Sequence, residues 1–423
     1  MTSHIMIVTG EASGDMHGAR LVEAMQAMEP DLSFSGIGGK ELAAVGVEML
    51  FDASKLAVVG ITEVISHLGD ILAARRVLIQ RMQENKPALL ILIDYPDFNL
   101  LLAAKAKKLG IPVFYYISPQ VWAWRSGRVQ KIGRLTDRVG VILPFEKDFY
   151  AARGVEVDFV GHPLKDTVSK DKVACKKDFF RAHNLSVEAE TRIIGLLPGS
   201  RSKEIRSLLP DFLAAAHILA SKERDKKWLF LLPRASTISE DLLLASGLAA
   251  YREDPDKKIA VHVISESRYD LMAACDAVVA ASGTVTLELA ILGIPTVTTY
   301  RLSPRTYSLA RLLIRHIRHF SLVNLVADRE VIPELLQDAV TPAAIAEYLQ
   351  RMVDDNVYRK NIILGLAEVT EKLGPPGCAQ RAAEFAFACM DKRHRSESDL
   401  LHKKKRASSG IPEQDIVNGE DIG

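Results

Sequence analysis

The chain has 423 residues, of which 48% are hydrophobic and 25% are charged, a composition typical of a folded globular protein with room for two domains. The formal net charge of +1 excludes a strongly basic nucleic-acid-binding protein, and we predict no nucleic-acid partner. The four cysteines are widely spaced and form no CxxC pair, which argues against a zinc site and fits a reduced cytoplasmic protein.

The first residues of the chain, Met1 to Gly10, contain neither the basic segment nor the long apolar segment of a signal peptide. No run of about eighteen apolar residues occurs, so no transmembrane helix is predicted. We therefore expect a cytoplasmic location, which leaves contact with a membrane surface open.

Short apolar runs alternate with amphipathic stretches along most of the chain, and this alternation predicts βαβ units built on parallel sheets. In the first part of the chain, the predicted strands are Ile5–Val8, Leu89–Ile93, Val113–Tyr116 and Val139–Leu143, and the predicted helices include Leu21–Met28, Ile71–Met82 and Leu100–Leu109. After a polar, charged stretch, the predicted strands are Ile193–Leu197, Trp228–Leu232, Ile259–Val263, Ala277–Ala280 and Thr296–Thr299. The predicted fold class is α/β, with two doubly wound Rossmann-like domains that face a central cleft and with C-terminal helices.

The domain boundaries follow from this order of elements. Residues 1–165 are expected to form the first domain and residues 166–372 the second, with a C-terminal helix over 373–391 that returns to the first domain. Residues 392–423 contain the basic cluster Lys403–Arg406, several acidic residues and few apolar ones, which predicts a disordered charged tail. A weak contact of the basic cluster with lipid or nucleic acid is the alternative.

The first predicted strand runs into a glycine-containing loop with the sequence GEASGD. The loop allows a tight turn from strand to helix, but the dinucleotide-binding fingerprint GxGxxG is absent. Two carboxylates, Glu11 and Asp15, lie at the helix start, where they disfavour a phosphate and favour a hydroxyl-rich ligand or acid–base chemistry. Simple helix capping by Ser13 or Asp15 is an equal alternative. Gly14 of this loop is also a candidate cleft residue.

A central predicted strand that ends at Ile93 is followed by the sequence DYPDFN, which begins with Asp94. Its two carboxylates lie at the carboxyl end of the strand, where this architecture places catalytic groups. An ionised aspartate within hydrogen-bond reach of an acceptor hydroxyl would serve as a general base. Capping of the next helix by Asp97, with Pro96 fixing the loop, is the alternative. Asn99 is a further candidate cleft residue.

The loop from Ser118 to Arg125 contains Trp122 and Trp124, two of the three tryptophans in the chain. Aromatic rings beside a cation suit a sugar face or a phosphate, whereas core packing of one tryptophan is the alternative. His162, at the interdomain junction, either lines the cleft or is a satisfied structural histidine. We include Ser118, Trp124, Arg125 and His162 among the candidate acceptor or cleft residues.

In the second domain, the strand that ends at Leu197 is followed by the sequence PGSRSKE. Gly199 permits a tight turn, Ser200 is placed to cap the next helix, and the free N–H groups of such a helix start attract a phosphate. Arg201 adds a cation that can bind a phosphate through two N–H groups. An ordinary βα loop with a helix cap is the alternative. Glu204, in the same motif, completes this part of the predicted nucleotide-sugar site.

A second loop of the same predicted sheet has the sequence ASGTVTLE. The small residues Ser282, Gly283 and Thr284 permit close approach of ligand phosphates to the helix N-terminus. Glu288 lies four residues after Thr284 on the same helical face, so its carboxylate can accept hydrogen bonds from ribose hydroxyls. The two loops together predict a site for a nucleotide-diphosphate sugar.

Together these segments resemble the lipid-A-disaccharide synthase family of glycosyltransferases. The matching segments, in chain order, are GEASGD (10–15), IDYPDFN (93–99), SPQVWAWR (118–125), GRLTDRV and LPFEKDFY (133–150), GHPLKD (161–166), LLPGSR (196–201), ASGTVTLE (281–288) and NLVADREVIPELLQ (324–337). The combination is highly specific, and the tail after residue 391 has no counterpart in the family.

The resemblance implies an inverting, metal-independent glycosyltransferase of the GT-B type, without a cofactor. Its substrates would be UDP-2,3-diacylglucosamine, bound by the second domain, and 2,3-diacylglucosamine 1-phosphate, bound by the first. They would be joined by a β(1→6) linkage with release of UDP. Residue by residue, the resemblance implies Asp97 as the base on the acceptor 6-hydroxyl, Arg201 beside the leaving UDP and Glu288 at its ribose. Asn324 and Gln337 would contact the donor phosphates or sugar.

Both substrates of that family carry acyl chains, so we expect peripheral contact with the cytoplasmic face of the inner membrane. One candidate segment is the apolar stretch Val58–Leu68, for which a buried helix is the alternative. The other is Tyr307–Phe320, whose arginines gather on one helical face and whose apolar stripe faces either a membrane or the protein core. A homodimer is one hypothesis for the oligomeric state.

Two other classes of function remain open at the level of sequence. One is another UDP-N-acetylglucosamine enzyme of the same architecture, such as a transferase of peptidoglycan synthesis or a 2-epimerase. The other is a non-catalytic carrier of a lipid or a nucleotide sugar. Turnover that requires a diacylated glucosamine phosphate would distinguish the synthase from both.

Overall fold

The computed structural model describes residues 3–52, 68–124, 126–222, 226–255, 259–302, 307 and 318–391. The expectations for the charged tail over 392–423 lie outside these residues. The same holds for Arg125, for nearly all of the apolar segment 58–68, and for most of the amphipathic segment 307–320.

The first sheet has seven parallel strands in the order β3-β2-β1-β4-β5-β6-β7. These strands are β1 (His4–Thr9), β2 (Ser33–Gly38), β3 (Glu48–Asp52), β4 (Leu89–Ile93), β5 (Val113–Tyr116), β6 (Arg138–Val141) and β7 (Asp158–Phe159). The helices of this part of the chain are α1 (Ala12–Met28), α2 (Lys40–Ala44), α3 (Leu68–Glu84), α4 (Pro96–Lys108), α5 (Val121–Trp124), α6 (Val129–Leu135), α7 (Pro144–Ala151) and α8 (Leu164–Thr167).

The second sheet has six parallel strands in the order β10-β9-β8-β11-β12-β13. They are β8 (Arg192–Leu197), β9 (Trp228–Pro233), β10 (Val261–Ile264), β11 (Ala277–Ala281), β12 (Thr296–Tyr300) and β13 (Glu334–Leu336). The helices are α9 (Lys176–Ala182), α10 (Ser202–Lys222), α11 (Glu240–Leu243), α12 (Ala249–Glu253), α13 (Arg268–Ala274), α14 (Val285–Leu292), α15 (Leu322–Ala327), α16 (Pro342–Asp354), α17 (Asn356–Lys372) and α18 (378–391).

The strand orders place a topological switch point in each sheet. In the first sheet β1 lies between β2 and β4, and in the second β8 lies between β9 and β11. The chain leaves such neighbouring strands toward opposite sides, which opens a crevice at their carboxyl ends where ligands of this architecture bind. The loops after β1 and β4, and those after β8 and β11, are therefore the places to look for a site.

Strand β4 shows how the sequence builds the core of the first domain. Its five residues are all apolar and buried. Leu90 and Leu92 belong to the apolar cluster on one face of the sheet, whereas Leu89, Ile91 and Ile93 belong to the cluster on the other. Successive side chains of a strand point to opposite faces, so a continuous apolar run fits a sheet covered on both sides.

The last described helix, α18, packs against the first sheet. Ala382 lies in the same buried cluster as the side chains on one face of that sheet. The Asp166 carboxylate accepts hydrogen bonds from amides at the start of the helix, including that of Cys378 at 3.1 Å. Arg381 Nε donates to the Val160 carbonyl at 3.0 Å. The end of the described chain is thus attached to the first sheet and to the junction near residue 165.

The prediction of an α/β fold with two parallel sheets is confirmed. The bounds of β4 and β5 match the predicted strands, whereas the predicted strand Val139–Leu143 is shifted because Pro144 begins α7 and Leu143 caps it. Strands β2, β3, β7 and β13 were not predicted, since each is short or rich in polar and small residues. Among the described helices, none has the length and apolar character needed to cross a bilayer.

Candidate active site

The loops after β1 and β4 contact each other at Gly10. A Cβ on this glycine would overlap the ring of Tyr95. Glu11 caps α1 through its backbone without a hydrogen bond from its side chain, and its carboxylate is exposed. Its charge contributes to raising the pKa of Asp94, which places the two carboxylates close together. The switch point of the first sheet therefore contains the acidic pair Glu11 and Asp94.

The carboxylate of Asp15, one of the candidate catalytic residues, binds backbone amides in the structure. Its side chain is buried, and Oδ1 accepts hydrogen bonds from the amides of Gly39 at 2.7 Å and Leu42 at 3.3 Å. Oδ2 accepts one from the amide of Glu41 at 2.9 Å. These amides form the N-terminus of α2, where a carboxylate is favourable. The geometry thus supports a capping role for Asp15. A Cβ on Gly14 would lie 3.4 Å from the Thr9 side chain, so α1 packs closely on the sheet at this glycine.

The turn after β4 has an uncommon backbone conformation. Asp94 and Tyr95 have φ values of 48° and 43°, which are in the left-handed region. Asn99 Nδ2 donates to the carbonyls of Ile93 at 3.1 Å and Asp94 at 2.7 Å, and the Tyr115 hydroxyl donates to the Asp94 carbonyl at 2.7 Å. Such strained residues persist where their surroundings hold them, and they cluster at functional sites. Asn99 therefore fixes this turn from within the protein, since it is fully buried.

The two aspartates of this turn differ in their environments. Asp94 lines a cavity of about 290 Å³ that is also lined by Ser118, Gln120, Arg128 and Glu146. Burial, assisted by the charge of Glu11, raises the pKa of Asp94, while a hydrogen bond from the next amide lowers it. Asp97, in contrast, is 75% exposed and forms an ion pair with Arg128. Asp94 therefore combines a place in the cavity wall with a raised pKa.

The wall of this cavity is supported by Glu146 on α7. Its Oε2 accepts hydrogen bonds from the amides of Leu143 at 3.0 Å and Ile142 at 3.3 Å, and the side chain is buried. Burial raises the pKa of Glu146 to about 7, although these amide hydrogen bonds act in the opposite direction. Next to it, the hydroxyls of Ser118 and Tyr150 are 3.1 Å apart.

Replacement of Glu146 by glutamine should change how stability depends on pH. The pKa of Glu146 is about 7 in the folded chain, whereas the ordinary value is 4.5. Between these two pH values the folded chain therefore holds a proton that the unfolded chain has lost. The free energy of unfolding of the parent chain should therefore fall as pH rises from 5 to 8. The variant should lack this component, which is roughly 2–3 kcal/mol.

Urea unfolding of both proteins at pH 5 and pH 8 measures this difference. The control is Asp148→Asn, on the same helix but exposed, which should follow the parent at both pH values. An equal pH dependence in the parent and Glu146→Gln would contradict the buried titration.

Other predicted residues of the first domain have supporting positions. Trp122 packs edge-on against Phe145, with ring centroids 5.1 Å apart, and belongs to the apolar cluster of the second domain. The backbone of Trp124 ends α5, and its side chain lies outside the described residues. His162 Nδ1 accepts a hydrogen bond from the Leu164 amide at 3.2 Å. Burial lowers the pKa of His162 to about 3, so it is a neutral structural residue of the junction.

The sequence predicts free amides in the loop after β8, but in the structure two of these amides form hydrogen bonds. Gly199 has a φ of +111°, and a Cβ there would overlap the Glu204 carboxylate. Glu204 Oε2 accepts hydrogen bonds from the amides of Ser200 at 3.0 Å and Arg201 at 3.2 Å. A helix N-terminus favours an anion, and here the Glu204 carboxylate, from the first turn of α10, occupies that position. The Arg201 side chain lies 3.4 Å from the Glu204 carboxylate and is 79% exposed, so its guanidinium is accessible.

The loop after β11 leaves its helix start open. Thr284 caps α14 without a hydrogen bond from its side chain, and a Cβ on Gly283 would meet no heavy atom within 4 Å. Ser282 Oγ donates to the Phe320 carbonyl at 3.4 Å. Glu288 is buried one turn along the helix and forms an ion pair with Arg268 of α13. Space for a phosphate at this helix start thus lies near a buried carboxylate.

The side-chain amides of Asn324 and Gln337 form hydrogen bonds with backbone groups. Asn324 is fully buried; its Oδ1 accepts from the Val331 amide at 2.8 Å and its Nδ2 donates to the Ile332 carbonyl at 2.8 Å. Gln337 Oε1 accepts from the Leu302 amide at 2.6 Å, and its Nε2 donates to the carbonyl of the same residue at 3.1 Å. Both amides thus help to hold the local backbone, and their contacts to donor phosphates or sugar stay a prediction.

An aromatic pair that the sequence reasoning missed lies beside Arg201. Tyr300 and Phe320 stack with ring centroids 5.9 Å apart, and Tyr300 is 38% exposed. Burial raises the pKa of Tyr300, the charge of Glu204 adds to this, and that of Arg201 opposes it, which places the ring next to both charges. In the sequence, the available signal was the position of Tyr300 at the carboxyl end of β12.

Within the described ranges, no group of three or more His, Cys, Asp or Glu side chains is arranged to hold a metal ion.

The fold is similar to solved structures of nucleotide-sugar enzymes. The UDP-GlcNAc 2-epimerase from Neisseria meningitidis bound to UDP-GlcNAc superimposes with a TM-score of 0.60 at 13% identity, covering 92% of this chain and 100% of that one. CalG4, the calicheamicin glycosyltransferase, superimposes with a TM-score of 0.57 at 14% identity, covering 92% and 98%. At such low identity these similarities show the fold, here the GT-B arrangement of two Rossmann-like domains.

Sequence comparison is more specific. The family model described as lipid-A-disaccharide synthetase matches residues 5–386. The lipid-A-disaccharide synthase of Geobacter sulfurreducens is 46% identical over 401 residues, covering 93% of this chain and 99% of that protein. The one of Syntrophus aciditrophicus is 47% identical over 388 residues, covering 92% and 98%. The chain therefore belongs to the lipid-A-disaccharide synthase family.

Proposed function

We propose that this chain transfers 2,3-diacylglucosamine from its UDP donor to the 6-hydroxyl of 2,3-diacylglucosamine 1-phosphate. The products are the β(1→6)-linked lipid A disaccharide 1-phosphate and UDP. One observation carries the proposal: relatives named lipid-A-disaccharide synthase are 46% and 47% identical and span 93% and 92% of the chain. The carboxylates of the first switch point and the loops of the second all lie within the matched residues 5–386.

The reaction requires a base on the acceptor side. Asp94 supports this role better than Asp97, because it lines the cavity while Asp97 is exposed and paired with Arg128. Asp94 would accept the proton of the 6-hydroxyl as the oxygen attacks the anomeric carbon from the side opposite UDP. The bond to the diphosphate oxygen breaks with its electron pair, so the configuration inverts and no protein nucleophile is needed. Glu11 stays beside the base as a second carboxylate.

The second domain would hold the leaving group. Arg201 and the open start of α14 supply positive charge to the diphosphate, where negative charge develops. Glu288 would accept hydrogen bonds from the ribose hydroxyls, and the exposed part of the Tyr300 ring offers a face to the uracil. The amides of the Pro-Gly-Ser-Arg loop are held by Glu204, so we assign the phosphate contact there to the Arg201 side chain.

The acylated substrates support one further part of the proposal, which is contact with a membrane. Their chains are anchored in a bilayer, so we propose that the protein contacts the cytoplasmic face of the inner membrane peripherally. The helix α3 presents Leu72, which is 50% exposed, and Val77, which is 37% exposed, next to the exposed Arg76. Such a face fits an anionic lipid surface. A homodimer remains a hypothesis for the oligomeric state.

The test is a turnover assay with defined substrates. Purified protein with UDP-2,3-diacylglucosamine should release UDP and form the disaccharide only when 2,3-diacylglucosamine 1-phosphate is present. The matched negative control is the Asp94→Asn variant, which keeps the shape of the site. Conversion of UDP-N-acetylglucosamine to its 2-epimer, or transfer to a peptidoglycan precursor, would replace the proposal with one of the alternatives. Binding of the donor without product from any acceptor would favour a carrier.

A further inference from the structure

The buried carboxylate of Glu288 is only half used in the structure. The side chain is 6% exposed, and Oε1 pairs with the Arg268 guanidinium. Its other oxygen, Oε2, is buried and has no hydrogen-bond partner among the described residues. A buried carboxylate oxygen without a partner is costly, and in a native protein such an atom calls for an explanation. At a nucleotide-sugar site, a hydroxyl of the ligand would supply the hydrogen bond to this oxygen.

Arg268, the partner of Oε1 of Glu288, is held in place by its neighbours. Arg268 begins α13 directly after Ser267, which has a φ of 53° in the left-handed region. The guanidinium lies 4.6 Å from the centroid of the Tyr269 ring, and Nη2 donates to the Tyr269 hydroxyl at 2.8 Å. A planar guanidinium held by a ring and a hydroxyl has a defined direction, which an ammonium on a flexible stem would lack.

The ion pair also determines the charge of Glu288. Burial raises the pKa of Glu288, whereas the Arg268 charge and the hydrogen bonds from Arg268 and Tyr269 lower it. From the first domain, Arg20 of α1 adds a positive charge that acts on Tyr269. An ionised carboxylate accepts hydrogen bonds at both oxygens, but a protonated one loses part of that capacity. Removal of the Arg268 charge would therefore leave a carboxyl that is protonated more readily.

We propose that Arg268 is a positioning residue for the donor nucleotide: by pairing with Oε1 of Glu288, it holds the carboxylate in place and leaves Oε2 for the ribose hydroxyls. Arg268 acts through Glu288 and need not touch the ligand itself. This inference rests on the proposed function, because it assumes a UDP-linked donor in the second domain. The neighbouring cavity, lined by Arg268, Tyr269 and Ser169, opens beside the pair.

The test compares UDP with 2′,3′-dideoxy-UDP by calorimetry at pH 6 and pH 8. The parent chain should prefer UDP by about tenfold or more at both pH values, since a hydrogen bond to a charged group is lost with the hydroxyls. In Arg268→Gln, the affinity for UDP should fall about tenfold at pH 6 and recover in part at pH 8, as Glu288 ionises. The affinity for the dideoxy compound should not change. Arg268→Lys, which keeps the charge, should show less dependence on pH than Arg268→Gln.

The control is Arg252→Gln, which removes an arginine from a surface pair with Glu240 at 3.6 Å and should leave both affinities unchanged. Urea unfolding checks that Arg268→Gln is folded. An equal loss of affinity for both nucleotides would overturn the inference, because it would mean that Arg268 contacts the phosphates or the base. Unchanged UDP binding would overturn it as well. Failure of the proposed function is distinguishable, since the parent chain itself would then bind no UDP or form no disaccharide.

Discussion

Replacement of Asp94 by asparagine is expected to lower kcat about a thousandfold, because a positioned general base typically contributes a factor of this order. The amide keeps the size of the carboxylate and the left-handed turn that asparagine also tolerates, so the site should retain its shape. It cannot accept the proton of the acceptor hydroxyl. UDP binds to the other domain in our proposal, and its dissociation constant should therefore be unchanged. Steady-state kinetics and calorimetry with UDP measure the two quantities.

Asp97→Asn is the matched control on the same turn. It removes an exposed carboxylate whose partner is Arg128, and exposed ion pairs contribute little energy. We expect kcat to change less than about tenfold. If Asp97→Asn abolished turnover while Asp94→Asn left it near normal, the base would be Asp97, as the family resemblance alone implied.

The pH profile offers an independent check on Asp94. The base is active when ionised, so kcat/KM should rise with pH through its pKa. Burial and the charge of Glu11 raise that pKa. In Glu11→Gln the negative neighbour is absent, and the acid limb should move to lower pH. Arg128 and Glu146, which line the same cavity, are unchanged in this variant, so the titration of Glu146 contributes equally to both profiles. An unchanged acid limb would mean that another group controls it.

The sequence predicts the parts of this protein that depend on local patterns. The bounds of β4 were predicted because five successive apolar residues form a strand that is buried on both faces. The loops at the switch points were also found, since glycines, carboxylates and an arginine follow the strands directly. The short outer strands were missed because their residues do not form an apolar run.

The roles within the site depend on partners that are distant in sequence. Nothing near Asn324 or Gln337 indicates that their amides bind backbone groups of Ile332 and Leu302. Likewise, the choice between the two aspartates depends on how α4 begins: Tyr95 caps it in the left-handed region, and Asp97 in its first turn is exposed. Such contacts are set by tertiary packing, which a pattern of residue types does not contain.

Variants of Asp15 can distinguish a structural role of this residue from a catalytic one. Asp15→Ala should lower the free energy of unfolding by about 4 kcal/mol, because three amides lose a charged acceptor. In Asp15→Asn the loss should be smaller, since the side-chain oxygen can still accept from Gly39 and Leu42 while its NH2 group faces the Glu41 amide. Urea unfolding followed by circular dichroism measures both variants. The exposed Glu23→Gln on the same helix is the control and should stay within about 0.5 kcal/mol of the parent.

The kinetic result decides the interpretation. If Asp15 only caps α2, the folded fraction of Asp15→Asn should turn over within a few fold of the parent rate, and the defect should appear as lower stability. A loss of kcat comparable to that of Asp94→Asn, with unchanged unfolding, would instead make Asp15 part of the chemistry. We expect the first outcome, because both oxygens of this carboxylate already bind amides and the side chain is buried away from the cleft cavity that Asp94 lines. The GEASGD loop would then contribute one carboxylate, Glu11, to the environment of the base and another, Asp15, to the frame that holds it.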